Sequence, residues 1–130
     1  MSIDVVGDFL TIVRNGIMRS KPFVHVPFSR LKHDIAGLLK QEGFLRDVTV
    51  EEESGHKVLR IALKYVNGES VIHELTRVST PGGRVYRGAK QLGIVSGGFG
   101  IAVVSTNKGV ITNKRARELA VGGEILCTVW

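Results

Sequence analysis

The chain has 130 residues, 43% of them apolar, and carries a formal net charge of +6 with a pI near 9.8. That length suits one domain or two small packed modules, and the apolar share excludes wholesale disorder. No apolar run approaches the ~18 residues of a membrane span, the N-terminus lacks the basic start and apolar block of a secretory signal, and Cys127 is the only cysteine, so no intrachain disulfide can form and a reducing, cytoplasmic setting is expected.

Asp4 opens an amphipathic helix as a candidate N-cap, and Val5, Phe9, Ile12, Val13 and Ile17 recur at three- and four-residue spacing. Gly16 weakens its last turn and Pro22 marks the exit. Phe23 to Pro27 reads as a short edge strand. Ser29 caps a second helix with an apolar stripe of Leu31, Ile35, Leu38 and Leu39, closed at Gly43. Phe44 to Val50 and Val58 to Tyr65 read as strands joined through Ser54-Gly55. Asn67-Gly68 is a strong hairpin signal and feeds a third strand, Val71 to Leu75. The N-terminal part, residues 1–76, thus reads as an α/β domain of two helices on a three-stranded antiparallel meander.

Thr80-Pro81-Gly82 is a turn signal, and the boundary is placed there, with residues 77–130 as a second, β-rich domain. Val85-Tyr86 makes a brief strand, followed by a single helical turn near Ala89 to Gln91. Gly100 to Val104 is a buried strand, and Val110-Ile111 is its returning partner. Thr112 caps a short helix through Asn113 to Ala120 that Gly122-Gly123 ends, and Glu124 to Trp130 is the last strand.

The hairpin tip between those central strands holds Ser105, Thr106, Asn107, Lys108 and Gly109: two hydroxyls, an amide, an ammonium and a glycine that permits reversal. Such groups serve an ordinary turn, and they also meet phosphate and sugar oxygens. The surroundings favour the second use. From Arg77 to Arg117 there are eight basic residues (Arg77, Arg84, Arg87, Lys90, Lys108, Lys114, Arg115, Arg117) and no acid, whereas residues 1–65 carry ten basic and eight acidic ones. A turn in a one-sign field attracts polyanions.

Competing chemistries are poorer fits. Cys127 lies in an apolar strand, where a structural thiol is expected. His25, His33, His56 and His73 share no metal-ligand spacing, so neither metal nor cofactor is expected. Gly97 to Gly100 precedes a strand rather than a helix, unlike a dinucleotide fingerprint. Aromatics are too sparse for a stacking sheet, so shape reading of structured RNA is the better picture. Tyr86 reads equally as a core tyrosine or as a stacking contact.

The segment Gly100 to Arg117 (GIAVVSTNKGVITNKRAR) and Gly122 to Cys127 (GGEILC) resembles the C-terminal signature of the bacterial small-subunit ribosomal protein S-eight family. Asp4, Asp8, Leu10, Thr11, Arg14 and Asn15, then Leu31-Lys32 and Glu42-Gly43-Phe44, then Arg77-Val78-Ser79 and Arg84-Val85-Tyr86 extend the resemblance over the whole chain. It implies a two-domain α+β fold and a non-enzymatic primary binder of small-subunit (16S) ribosomal RNA, seated on a central-domain helix and supporting subunit assembly. It implies RNA contact by Ser105, Thr106, Asn107, Lys108 and Gly109, with Arg84, Tyr86 and Glu124 beside them. Asn107 stands where the family usually has Ser, and Val5 where it has Pro. Peripheral RNA candidates are Arg14, Asn15, Lys32, Arg87, Lys114 and Arg115. Neighbouring ribosomal proteins are implied partners. Some members also bind a messenger RNA that mimics the ribosomal site and repress their own operon, which is open for this chain.

Overall fold

The computed structural model describes residues 4–130, which form two compact units, Val5–Ile72 and His73–Trp130 together with Asp4. In the first, α1 (Val5–Met18) buries Val6, Phe9, Leu10, Val13 and Gly16. The apolar face is turned slightly from the expected one: Leu10 is in the core, while Ile12 and Ile17 are half-buried. Gly16 is a packing residue, since a Cβ there would come within 2.3 Å of the Val24 side chain. α2 (Arg30–Gln41) is capped by Ser29, whose Oγ accepts from the Lys32 N–H at 3.1 Å, and it buries Ile35, Ala36, Leu38 and Leu39.

These helices accompany an antiparallel sheet of β1 (Phe23–Pro27), β2 (Leu45–Glu53) and β3 (His56–Leu63) in the order β1-β3-β2. The expected meander is corrected here. β2 takes one edge of β3 and β1 takes the other, with Phe23 opposite Ala62 and Pro27 opposite Val58, so no edge of β3 remains for Val71 to Leu75. Asn67-Gly68 does turn a hairpin, but its strands β4 (Tyr65–Val66) and β5 (Glu69–Ser70) are two residues each. Ile72 is buried, and Leu75 goes to the other unit.

That second unit contains β6 (Leu75–Arg77), β7 (Tyr86–Arg87), β8 (Ile101–Thr106), β9 (Gly109–Thr112), α3 (Asn113–Glu118) and β10 (Gly123–Val129). The sheet runs β6-β10-β8-β9, and β7 also pairs with β10. Val103, Val104, Cys127 and Val129 are fully buried in it. Leu92, Ala102, Val104 and Ala116 form a cluster joined by Val95, Ile111, Val121 and Ile125. Burial pushes the Cys127 thiol up to about 12, the state of a structural cysteine. α3 is shorter than expected: it ends at Glu118, and Ala120 rather than a glycine takes the left-handed conformation at φ +55°. The Gly122-Gly123 pair has a different use, described below.

Candidate nucleic-acid interface

β8 and β9 pair from Val103 opposite Thr112 to Thr106 opposite Gly109, leaving Asn107 and Lys108 at the tip. Gly109 has φ +106°, which lets the chain turn back without strain. The Thr106 hydroxyl accepts from the Lys108 N–H at 3.0 Å and donates to the Gly109 carbonyl at 2.9 Å. Thr106 therefore clamps the turn, and its proton is already committed. Ser105 carries no such bond among the described residues, and Asn107 and Lys108 are exposed. The tip thus divides into a clamp and a set of uncommitted polar groups.

β10 brings further residues to this hairpin. Glu124 stands opposite Ser105 on one side and opposite Tyr86 on the other. Directly opposed residues of antiparallel strands point to the same face, so Tyr86, Glu124 and Ser105 form one row. Arg84 joins it, donating to the Glu124 carboxylate at 3.2 Å. Tyr86 is 63% exposed, which settles its role against a core tyrosine.

The row is tightly supported. A Cβ on Gly123 would lie 2.2 Å from the Ser105 carbonyl, and one on Gly122 would lie 2.5 Å from that of Arg87, so the glycine pair permits close strand approach rather than ending α3. A bulge at Leu126 shifts the register between Ile125 and Cys127. Buried Ser79 accepts from the Val85 N–H at 2.8 Å, and the Ile125 N–H donates to the Val85 carbonyl at 2.9 Å, fixing the hook that carries Arg84 and Tyr86. Arg77 closes the base of the hook: its Nε donates to the Ser79 carbonyl at 2.8 Å and its guanidinium pairs with both Asp4 oxygens. Buried Asn113 accepts from the Ala102 N–H at 3.1 Å and donates to the Gly93 carbonyl at 2.7 Å, tying the 88–100 segment to β8. Sequence reasoning missed Ser79 and Asn113 as supports. Ser79 lies in a turn-rich stretch and Asn113 directly after a helix cap, and nothing in either context distinguishes a buried clamp from a surface residue.

The field around the row is smaller than the acid-free sequence implies. Asp4 pairs with Arg77 and Glu124 with Arg84, both brought in from outside that stretch. Arg87, Lys90, Lys108, Lys114, Arg115 and Arg117 are without an ion pair among the described residues. Arg87 donates to its neighbour's carbonyl, on Tyr86, at 2.8 Å, and Lys114 and Arg115 are exposed on α3. Arg14, Asn15 and Lys32 belong to the other unit: the first two are exposed on α1 and Lys32 is half-buried in the first turn of α2.

The chain matches the family described as Ribosomal protein S8 over residues 4–130. It belongs to that family. It is 51% identical to the small ribosomal subunit protein uS8 of Maricaulis maris, over 97% of this chain and 96% of the relative. It is likewise 51% identical to the uS8 of Paracoccus denitrificans (98% and 97% covered) and 48% identical to that of Geobacter sulfurreducens (98% and 97% covered). Ribosomal protein S8 is a structural family without enzymatic activity. Among the described residues no group of three metal-ligating side chains occurs, and no helix is long and apolar enough to cross a membrane.

Proposed function

We propose that this chain is a component of the small ribosomal subunit that binds a central-domain helix of the 16S RNA and supports assembly of that subunit in the cytoplasm. The observation that carries the reading is the row Tyr86–Glu124–Ser105 beside a clamped hairpin tip. The names of the relatives support the small-subunit setting.

Residues 77–130 are the RNA-binding domain. The unpaired cations draw the polyanion in, with Arg87, Lys114 and Arg115 as peripheral contacts. The clamped tip then registers on the RNA. Lys108 meets a phosphate, and Asn107 offers an amide to sugar or base edge. The Ser105 hydroxyl donates and accepts, matching a 2′-hydroxyl. Thr106 contributes its remaining lone pair, and Gly109 allows close backbone approach. Glu124 gains nothing from phosphate; held by Arg84, its carboxylate accepts from a base amino group or a 2′-hydroxyl. Tyr86 stacks its exposed ring on a base or ribose. Residues 1–76 add Arg14, Asn15 and Lys32 at the periphery and face neighbouring ribosomal proteins. Because this mode reads shape, a messenger RNA from the chain's own operon with the same fold is a second ligand of the same surface.

Chemical footprinting on small-subunit ribosomal RNA tests this. Protection is expected on a central-domain helix and is expected to weaken with Ser105→Ala. Absence of protection in that domain overturns the proposal.

A further inference from the structure

The dipeptide Asn-Gly occurs twice in the chain, at Asn15-Gly16 and Asn67-Gly68, and the two copies lie in opposite backbones. Asparagine amides are thermally labile, most of all before glycine. With no side chain in the way, the glycine nitrogen reaches the asparagine side-chain carbonyl and closes a five-membered ring. The other asparagines, Asn107 and Asn113, precede lysines, whose side chains crowd that approach.

Asn15-Gly16 is locked. Both residues lie inside α1, where each N–H bonds the carbonyl four residues back and ψ stays at about −42°. The closing ring needs ψ far from that value. Gly16 is buried, and a Cβ on it would come within 2.3 Å of the Val24 side chain, so its backbone has no room to rotate. The Asn15 carbonyl accepts from the Arg19 N–H at 3.1 Å, and the Gly16 carbonyl accepts from the Lys21 N–H at 2.9 Å. Freeing the Gly16 nitrogen means unwinding the turn that buries Val13 and Gly16, a large opening.

Asn67-Gly68 has none of these restraints. The pair forms the exposed tip of β4–β5, with φ +53° and +81°. The Gly68 N–H donates to no acceptor among the described residues, and nothing lies within 4 Å of a Cβ on Gly68. β4 and β5 are two residues each and form a sheet of their own. An isolated two-stranded hairpin is marginally stable. Its anchors are at the base: the Tyr65 hydroxyl donates to the Lys21 carbonyl at 2.7 Å, and the Val71 N–H donates to the Lys64 carbonyl at 3.0 Å. The tip therefore opens locally while the base stays in place.

We propose that Asn67-Gly68 is a site of spontaneous deamidation, with water as the co-reactant, and that α1 protects Asn15-Gly16 from the same reaction. The Gly68 nitrogen bonds to Cγ of Asn67. The Cγ–Nδ2 bond breaks, and Nδ2 leaves as ammonia with the proton of the Gly68 amide. Water then opens the succinimide. Addition at Cγ restores the ordinary backbone and leaves aspartate. Addition at the main-chain carbonyl leaves isoaspartate, whose backbone runs through Cγ. The sum is asparagine plus water giving a carboxylic acid plus ammonia. In the isoaspartate form, the extra methylene breaks the two-residue spacing between Val66 and Glu69, and a new carboxylate stands beside Glu69, so the hairpin unpairs. The proposal does not rest on the RNA reading.

The test ages the full-length protein in mildly alkaline buffer at physiological temperature, native and in guanidinium chloride. Cleavage after lysine separates residues 1–21 from residues 65–90. Each peptide is scored for the mass gain of an NH2 exchanged for OH, and isoaspartate is counted with a protein isoaspartyl methyltransferase. In denaturant both sites are expected to convert at similar rates. In the native protein Asn67 is expected to convert about tenfold faster than Asn15, or more. Asn67→Gln is expected to abolish the gain in 65–90, because the longer side chain closes a six-membered ring far more slowly. Equal native rates at the two sites overturn the proposal, and so does a gain in 65–90 that survives Asn67→Gln. Amide exchange tests the unpairing: Val71 is expected to exchange faster in the isoaspartate fraction, and unchanged exchange there overturns the loss of the hairpin.

Discussion

The β2–β3 and β8–β9 hairpins both turn tightly, and they do so by different means. In β2–β3, Glu53 faces His56, and the two linking residues, Ser54 and Gly55, both have positive φ (52° and 81°). The backbone alone makes that turn, with the primed geometry that suits strand twist. In β8–β9, Thr106 faces Gly109, but neither Asn107 nor Lys108 has positive φ; the left-handed residue is displaced to Gly109. The turn is closed instead by the Thr106 hydroxyl. The consequence is chemical. A primed turn favours glycine and small polar residues at its tip, whereas the displaced glycine frees both tip positions for long side chains at ordinary φ. The β2–β3 tip is flanked by Glu51, Glu52 and Glu53, and the β8–β9 tip presents an amide and an ammonium.

The largest separation between the two is expected from matched glycine substitutions. Gly123→Ala forces a Cβ to 2.2 Å from the Ser105 carbonyl at the base of the β8–β9 tip. It should cost about 3 kcal/mol, seen as a melting temperature lowered by roughly 10 °C. Gly55→Ala, with nothing within 4 Å of its Cβ, should cost only the left-handed strain, about 1 kcal/mol. Equal losses would show that the close approach relaxes easily. Next comes the clamp. Thr106→Val keeps the shape and removes both hydroxyl bonds, costing about 1–2 kcal/mol in denaturant unfolding and speeding exchange of the Lys108 amide. Ser54→Ala at the other tip should stay within about 0.5 kcal/mol.

The distinction was partly legible in sequence. Alternation and turn residues placed β2, β3, β8 and β9, because each pairs with a sequence neighbour. The misplaced strand was Val71 to Leu75: the edge of β3 expected for it is filled by β1, read only as an edge strand, whose partner lies more than thirty residues on and whose five residues, FVHVP, carry no information about which edge they fill. At the site, Ser105 to Gly109 were visible through residue type, and their setting through the run of cations. The pairing of Arg77 with Asp4 was not, because charge counting along a segment cannot see an acid some seventy residues away. Gly122-Gly123 was read as a helix stop, since local rules price a glycine by its conformational freedom and not by the backbone it lies against. Tyr86 was undecidable because strand β7, only two residues long, shows no alternation.

Below the clamp lie the uncommitted groups, where stability and recognition should separate. Ser105→Ala removes a hydroxyl without a side-chain hydrogen bond among the described residues, so unfolding should change by less than about 0.5 kcal/mol. Affinity for the ribosomal RNA site should still fall by roughly five- to tenfold, the worth of one hydrogen bond. An equal loss of stability would make Ser105 part of the clamp. Lys108→Ala should have the smallest effect on affinity at physiological salt, and its signature is different in kind. The ammonium is exposed and has no ion pair among the described residues, so the proposed contact with a phosphate would release one counterion's share of the screening atmosphere. Titrations over a salt series should show the logarithmic slope reduced by about 0.9, with cognate and generic duplexes affected alike. Lys57→Ala, beside the other hairpin tip, should leave the slope unchanged. A slope equally insensitive to both lysines would mean that the β8–β9 tip meets the RNA through its polar groups alone, and that the displaced glycine serves to expose Asn107 rather than Lys108.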